Sequence, residues 1–439
     1  MTYDPAVTRP GFDSASSLEH RHNPFRRYFT VLGPGLVTGA ADDDPSGIAT
    51  YSIAGASFGY GLLWTAGFTF PLMAAVQLIC ARIGLVSGRG LAGAVRQHYP
   101  RPFLYVACIL LLVANVFNIA ADLSGMADAV EMLTGLSSYV AVPAFGGVLL
   151  FVTVYTSYRT FAKSLKWLTA VLFAYVATAF LAKPDWHGVA YATVVPTIRW
   201  DLDWITTFVG VVGTTISPYL FFWQASQEVE EEKAKGRTTV AQRRGADAEE
   251  LRDARLDVTT GMLFSNLVMF FIMLTTASTL HRAGHTNIES SRQAAEALRP
   301  LAGDGAYLLF TLGIVGTGLL AVPVLAGSAS YAVAELFRWP AGLDLRPRQA
   351  WRFYVVLGMA MVGGIVLDVL HINPIRMLFL SAVLNGVLAP PLLVLVMLVG
   401  NNRKIMGQHT NGVWLNGFGW AATAVTTVAA LIFLVGLLL

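Results

Sequence analysis

The sequence predicts an all-α, polytopic membrane protein with about eleven transmembrane helices. Three observations lead there. Of the 439 residues 55% are hydrophobic and only 13% charged, with a mean hydropathy of +0.58. A soluble globular chain carries roughly 25% charged residues, so lipid must cover much of this one. Apolar segments near 30–55, 62–86, 103–125, 139–158, 164–182, 203–226, 257–280, 305–335, 351–370, 374–399 and 416–439 each approach the roughly 17–25 residues that cross a bilayer core. Finally, with the N-terminus inside, about 24 of the 30 basic residues fall on inside segments, leaving Lys183, Arg199, Arg282, Arg292, Arg299 and Arg376 outside. That bias orients the chain with a cytoplasmic N-terminus and, after eleven spans, an external C-terminus. The expected location is a bacterial inner or plasma membrane.

Residues 1–29 form a polar arm with His20, Arg21, His22, Arg26 and Arg27 just before the first apolar run. This is a cytoplasmic anchor rather than a cleavable signal, which would carry an apolar stretch of its own. The first span, GPGLVTGAADDDPSGIATYSIAGASF, contains Asp42, Asp43 and Asp44 followed by Pro45, Ser46 and Gly47. Each charge at the bilayer centre costs roughly 2.5–3.5 kcal/mol even on the lenient insertion scale. Pro45 lacks an N–H and clashes with the preceding turn. The expected solution is an unwound segment facing a polar cavity, the one place where irregular backbone is tolerated at membrane depth.

In the third span Asn115, Asn118 and Asp122 are spaced i, i+3 and i+7 and share one helix face. They are candidates for an ion path, against the plainer reading of hydrogen bonds between helices. The sixth span, WITTFVGVVGTTISPYLFFWQASQ, again has a glycine and a proline in mid-span, with Thr214, Thr215 and Ser217 between them. Pro218 lies about as deep in its span as Pro45 does in the first, five helices earlier. An odd number of spans per repeat inverts the second copy. Paired interrupted spans at matching positions point to a midplane binding site in an inverted-repeat transporter. The expected organisation is a first five-helix repeat over 30–182, a second over 203–399, and an added helix over 416–439.

The mixed-charge stretch 228–257 reads as a solvated loop or short surface helix. Asn266, Asp368 and Asn385 read as structural. Trp64, Trp200, Trp204, Trp351 and Trp414 lie near span ends, where interfacial anchoring is the default. Cys80 and Cys108 lack the short spacing of a metal knuckle and read as buried thiols. No sequence feature fixes an oligomeric state, for which a monomer is the simplest expectation.

A net charge of +3 without a basic face excludes nucleic acid as a partner. Paired His-Glu motifs, a nucleophile elbow and a P-loop are not found, so an enzyme is not expected, nor a resident cofactor. The two breaks offer carboxylate, hydroxyls and freed carbonyls, and contain no Cys, His or Met. Hard oxygen ligands suit Mg²⁺, Ca²⁺ or Mn²⁺, whereas soft ligands favour Cu, Zn or Fe. A roomy pocket with few fixed ligands also suits Mg²⁺, which keeps several of its waters. The expected partners are therefore the lipid bilayer and a divalent metal ion, Mg²⁺ or Mn²⁺, as transported substrate.

GPGLVTGAADDDPSGIATYSIAGASFGYGLLW resembles the first helix of the NRAMP divalent-metal transporters, whose hallmark there is Asp-Pro-Gly-Asn, and GTTISPYLFFWQAS resembles their sixth, with its Met-Pro-His. NVFNIAADLSGMADAV and LAGSASYAVAELF are weaker matches. The resemblance covers nearly the whole chain and implies a LeuT-type inverted-repeat fold with metal held between helices one and six. Asp44 matches the family's metal-binding Asp. The family's Asn falls on Gly47, its Met on Ser217, its His on Tyr219, and the Ala whose carbonyl binds metal on Thr214. This pattern is similar to the NRAMP-related magnesium transporter branch. The candidate metal site is thus Asp44, Asp43, Thr214, Ser217 and Gly47, with Asp122, Asn118 and Tyr219 along the ion path. The competing expectations are a proton-coupled Mn²⁺/Fe²⁺ importer of the ordinary NRAMP type, which the lost Met and His disfavour, and an amino-acid or organic-cation symporter of the same fold. For an amino acid, three aspartates would repel the substrate carboxylate.

Overall fold

A computed structural model describes Tyr28 and residues 31–156, 169–368, 370 and 372–438. The expected N-terminal arm, apart from Tyr28, and the loop leading into the fifth span lie outside the described residues. Those described are helical throughout their regular structure. In chain order the main helices are α1 (Pro34–Asp42), α2 (Pro45–Phe58), α3 (Trp64–Ser87), α4 (Arg101–Thr134), α5 (Ser138–Tyr155), α6 (Phe173–Leu181), α7 (Leu202–Thr215), α8 (Pro218–Ala234), α9 (Ala248–Thr276), α10 (Ala306–Phe337), α11 (Trp351–Asp368), α12 (Pro374–Gly400) and α13 (Val413–Gly436).

Among the described residues nine helical stretches are long and apolar enough to cross a membrane, with α7 and α8 counted as one. The other two expected spans have simple explanations. The first is divided into α1 and α2, each too short alone. The fifth shows only its apolar second part, Ala170–Leu181. The protein is therefore an integral membrane protein. Rows of exposed Phe, Val, Ile and Leu on α4, α5, α11 and α13 face outward, as lipid contact requires.

Helix limits differ from the hydropathy reading where no breaker stands at the membrane edge. α4 runs 34 residues, to a left-handed Gly135 (φ 71°), well past the expected 125. At 1.5 Å per residue it is longer than the hydrocarbon core is thick. α8 likewise continues to Ala234. The stretch 228–257 is consequently not a solvated loop throughout. Glu228, Glu232, Arg243 and Asp257 are buried. Each has partners that make this tolerable. Glu232 pairs with Lys235 and Arg237, and Arg237 with Glu250. The Arg243 guanidinium donates to the carbonyls of Gly88, Arg237 and Thr238.

Two tryptophans also depart from expectation. Trp200, Trp351 and Trp414 are exposed, but Trp64 and Trp204 are buried and stack on Phe208, at 5.9 and 5.2 Å between ring centroids. They are packing residues rather than interfacial anchors. Cys80 and Cys108 are free, buried thiols.

Packing places the two broken spans at the centre. α1 lies along α9 and touches α8 and α10. α2 lies against α9, α7 and α12, and α4 packs on α10, α11 and α12. Glycines let helices approach closely on both broken spans. A Cβ on Gly39 of α1 would collide with the Gly261 backbone of α9, and one on Gly213 of α7 with the Gly386 backbone of α12.

Candidate functional site

Both breaks are made the same way. A proline at position i withholds the N–H that would reach the carbonyl of i−4. Pro45 thereby orphans the Ala41 carbonyl and Pro218 the Thr214 carbonyl. Each is rescued by a nearby hydroxyl. Tyr219 Oη donates to the Ala41 carbonyl at 2.8 Å, and Ser217 Oγ donates to the Thr214 carbonyl at 2.7 Å. The first rescue crosses from α8 to α1 and ties the two broken spans together. The second is local, and Ser217 Oγ also lies 3.1 Å from the Gly213 carbonyl.

Asp44 is the N-cap of α2. Its Oδ1 accepts from the Gly47 N–H at 2.7 Å and from Ser46 Oγ at 2.6 Å. A carboxylate there is favoured by the helix dipole. Its Oδ2 is far less engaged, with only the Tyr219 hydroxyl at 3.5 Å. Asp42 and Asp43 turn elsewhere. Both approach Ser265 Oγ on α9, at 2.5 Å from Asp42 Oδ2 and 3.3 Å from Asp43 Oδ1. Their other oxygens, Asp42 Oδ1 and Asp43 Oδ2, have no hydrogen-bond partner. Three consecutive carboxylates thus serve two directions, Asp44 toward α8 and the other two toward α9.

Gly47 lies beside Thr214. A Cβ at Gly47 would come within 3.1 Å of Thr214 Oγ1, which is itself buried and unpartnered. Asp122 on α4 is fully buried and neither of its oxygens is hydrogen-bonded. Asn118 and Asn115 are engaged in packing. Asn118 exchanges amide hydrogen bonds with Asn385 of α12 at 2.9 and 3.1 Å, and Asn115 donates to the Leu325 carbonyl at 2.8 Å. This is the inter-helix role that the sequence left open for the asparagine face, and it agrees with the structural reading of Asn385. Asn266 donates toward Thr69 and Met73 of α3, also a packing contact.

Asp44, Asp43, Thr214, Ser217, Tyr219 and Asp122 are all at most 1% exposed, so this conformation is closed around the site. Among the described residues no group of three or more His, Cys, Asp or Glu side chains is arranged to hold a metal. An ion here would rest on one or two carboxylates with hydroxyls, carbonyls and its own waters, as Mg²⁺ sites commonly do. Sequence reasoning missed Ser265, a lone serine in an apolar helix with no signal to mark it. It also missed Tyr51, whose ring lies beside Gly47 and whose buried hydroxyl has no hydrogen-bond partner.

A helical membrane bundle whose two interrupted spans meet at a buried, oxygen-lined centre has the architecture of a secondary transporter. The family description "Natural resistance-associated macrophage protein-like" (Nramp) matches residues 35–436, and the chain belongs to that family. It is 27% identical over 400 residues to the divalent metal cation transporter MntH of Klebsiella pneumoniae subsp. pneumoniae, covering 90% of this chain and 91% of the relative. Among solved structures it resembles the Eremococcus coleocola manganese transporter in complex with an aromatic bis-isothiourea substituted compound. That likeness has a TM-score of 0.75 at 19% identity, over 94% of this chain and 87% of that one. A more distant likeness is to Mhp1, a nucleobase-cation-symport-1 family transporter, with a TM-score of 0.57 at 17% identity over 93% and 90% of the two chains. The fold is therefore the LeuT-type arrangement, and the relatives are transporters rather than enzymes.

Proposed function

We propose that this chain moves divalent metal ions, Mg²⁺ and with it Mn²⁺, across the membrane by alternating access at a midplane site between the α1–α2 and α7–α8 breaks. The observation that carries the reading is the chemistry of the closed centre. Asp44 keeps one oxygen nearly free beside hydroxyls and carbonyls, and neither break contains a thiolate, imidazole or thioether. Ser217 stands where the family's soft Met would be, and Tyr219 where its His would be. The first change removes the ligand that favours softer ions. The second removes the side chain best suited to exchange protons near neutral pH. The ligand set is read as Asp44 with Thr214, Ser217 and Gly47 around it, and with Asp43 acting through water. The repeats are assigned to 30–182 and 203–399, with the N-terminus cytoplasmic and the C-terminus outside on the distribution of Lys and Arg.

A second reading, a proton-coupled Mn²⁺/Fe²⁺ importer, is favoured by the names of the relatives, one a divalent metal cation transporter and one a manganese transporter. Thermal unfolding of the purified protein with Mg²⁺, Mn²⁺ or Cd²⁺ at constant ionic strength separates the two. Stabilisation by Mg²⁺ at concentrations comparable to Mn²⁺ is expected here. Stabilisation by Mn²⁺ and Cd²⁺ with none by Mg²⁺ would favour the importer.

A further inference from the structure

We propose that Ser265 on α9 is a positioning residue for ion binding: it holds Asp42 and Asp43 toward α9 and so keeps Asp44 Oδ2 open to the metal. This rests on the reading of the first break as the metal site and adds a residue that the resemblance to the family does not supply.

The register of α1 on α9 delivers this serine to the break. A Cβ on Gly35 would meet the Val258 backbone, and one on Gly39 the Gly261 backbone. The next residues in the same series are Asp42 and Asp43 on α1 and Ser265 on α9. At spacings of three or four residues they share the faces that the close contacts define. The two helices thus touch backbone to backbone at successive turns, and the seam ends on the Ser265 hydroxyl. Ser265 is fully buried, with Oγ 2.5 Å from Asp42 Oδ2 and 3.3 Å from Asp43 Oδ1. Among the described residues it is the only hydrogen-bond donor to these two side chains. Asp42 is the last residue of α1 and Asp43 its C-cap, a helix end where the dipole disfavours negative charge. Both carboxylates therefore depend on that hydroxyl to stay where they are.

The break is held by two hydroxyls from two helices. From α8, Tyr219 Oη donates to the Ala41 carbonyl at 2.8 Å, and Asp44 Oδ2 lies 3.5 Å from the same hydroxyl. That hydroxyl has a single proton. A carboxylate is the stronger acceptor, because a hydrogen bond to an ionised group is roughly twice as strong as a neutral one. Distance keeps the proton on the carbonyl, and the distance depends on where residues 41–44 rest between α8 and α9. Without Ser265 the segment keeps only its tether to α8. Asp44 Oδ2 then moves into the Tyr219 hydrogen bond, and the oxygen that the α2 cap leaves over is no longer free for an ion.

The test is Mg²⁺-dependent thermal stabilisation of the full-length protein in detergent. The chains compared are the native one, Ser265→Ala, Ser265→Thr, and Ser265→Ala combined with Tyr219→Phe. Losing a partner that orients a metal ligand lowers affinity roughly 10- to 100-fold, so the Mg²⁺ midpoint of Ser265→Ala should rise by about tenfold or more. Ser265→Thr keeps the hydroxyl and should stay near the native midpoint. Adding Tyr219→Phe to Ser265→Ala removes the competing proton and should bring the midpoint back toward the native value. A hydroxyl that only packed α1 on α9 would lower the metal-free melting temperature, without moving the midpoint and without relief at Tyr219. A native midpoint in Ser265→Ala overturns the proposal, and so does a double variant that binds no better than Ser265→Ala. Should the double variant fail to fold, Ser265→Thr decides: a midpoint as high as that of Ser265→Ala overturns the proposal. A native chain that responds to neither Mg²⁺ nor Mn²⁺ instead fails the metal-site reading on which the proposal rests.

Discussion

Asp257 on α9 holds the start of α1, and replacing it should loosen that end of the first broken span. Its Oδ1 accepts the Gly33 and Leu36 amides at 2.8 and 3.0 Å, and its Oδ2 accepts the Gly35 amide at 2.6 Å. These amides belong to the start of α1, where the helix has no internal acceptors for them and where its dipole favours negative charge. Asp257→Asn keeps one acceptor oxygen but turns an NH₂ toward the Gly35 N–H. One charge-assisted bond is lost, worth about 1.5–3 kcal/mol, together with about 0.3–1 kcal/mol of charge–dipole attraction. The total is roughly 2–4 kcal/mol. If local opening of α1 carries that cost, its population rises about 30- to 700-fold. Midway along α1 a second tether remains, in which Thr38 Oγ1 donates to Gln224 Oε1 at 2.5 Å and Gln224 Nε2 donates to Glu228 at 2.8 Å, and the far end is held by Tyr219 and Ser265. The assay is the rate of thiol labelling at Thr38→Cys in a background with Cys80 and Cys108 replaced by Ala, with and without Asp257→Asn. Thr38 is buried, so labelling reports opening. Labelling rates and melting temperatures that match with and without Asp257→Asn and Asp257→Ala would refute the reasoning.

Two further outcomes follow from the site. Asp44→Ala should leave the protein folded, at a cost of about 1 kcal/mol for the lost α2 cap, and should abolish metal-dependent thermal stabilisation. Stabilisation equal to the native chain would remove Asp44 from the site. Ser217→Met should lower Mg²⁺ transport relative to Mn²⁺ and Cd²⁺, since a thioether adds a soft ligand and fills space that a hydrated ion needs. An unchanged Mg²⁺-to-Mn²⁺ uptake ratio would place Ser217 away from the ion.

The two breaks were legible in the sequence because nothing else explains Asp, Pro and Gly in the middle of apolar runs. The span count followed from hydropathy for the same physical reason, since lipid admits few charges. The pairings that complete the centre were not legible. Tyr219 reaches the Ala41 carbonyl across 178 residues, Ser265 reaches Asp42 across 223, and Asp257 reaches Gly35 across 222. Such contacts depend on how helices are arranged, which local pattern does not encode. The same limit explains Trp64 and Trp204, which look interfacial by position but are buried by the packing of α3 and α7. It also explains Glu228, Glu232, Arg243 and Asp257 within 228–257, whose charges look solvated one by one and are buried against partners in three dimensions.

On the proposed function, Mg²⁺ is carried through the Asp44 site without obligatory proton movement. Each described histidine lies outside the two breaks, and Tyr219 is proposed to stand at the family's histidine position. A divalent ion entering across 100 mV gains about 2 × 2.3 kcal/mol, so the membrane potential alone can drive uptake. The most direct measurement is Mg²⁺ uptake into proteoliposomes at a clamped, inside-negative potential, with a pH reporter inside and Asp44→Ala in parallel. Saturable Mg²⁺ entry is expected, scaling with the potential, lost in Asp44→Ala and bringing no stoichiometric acidification. Acidification in fixed proportion to metal entry, or Mn²⁺ uptake with no Mg²⁺ uptake, would contradict it.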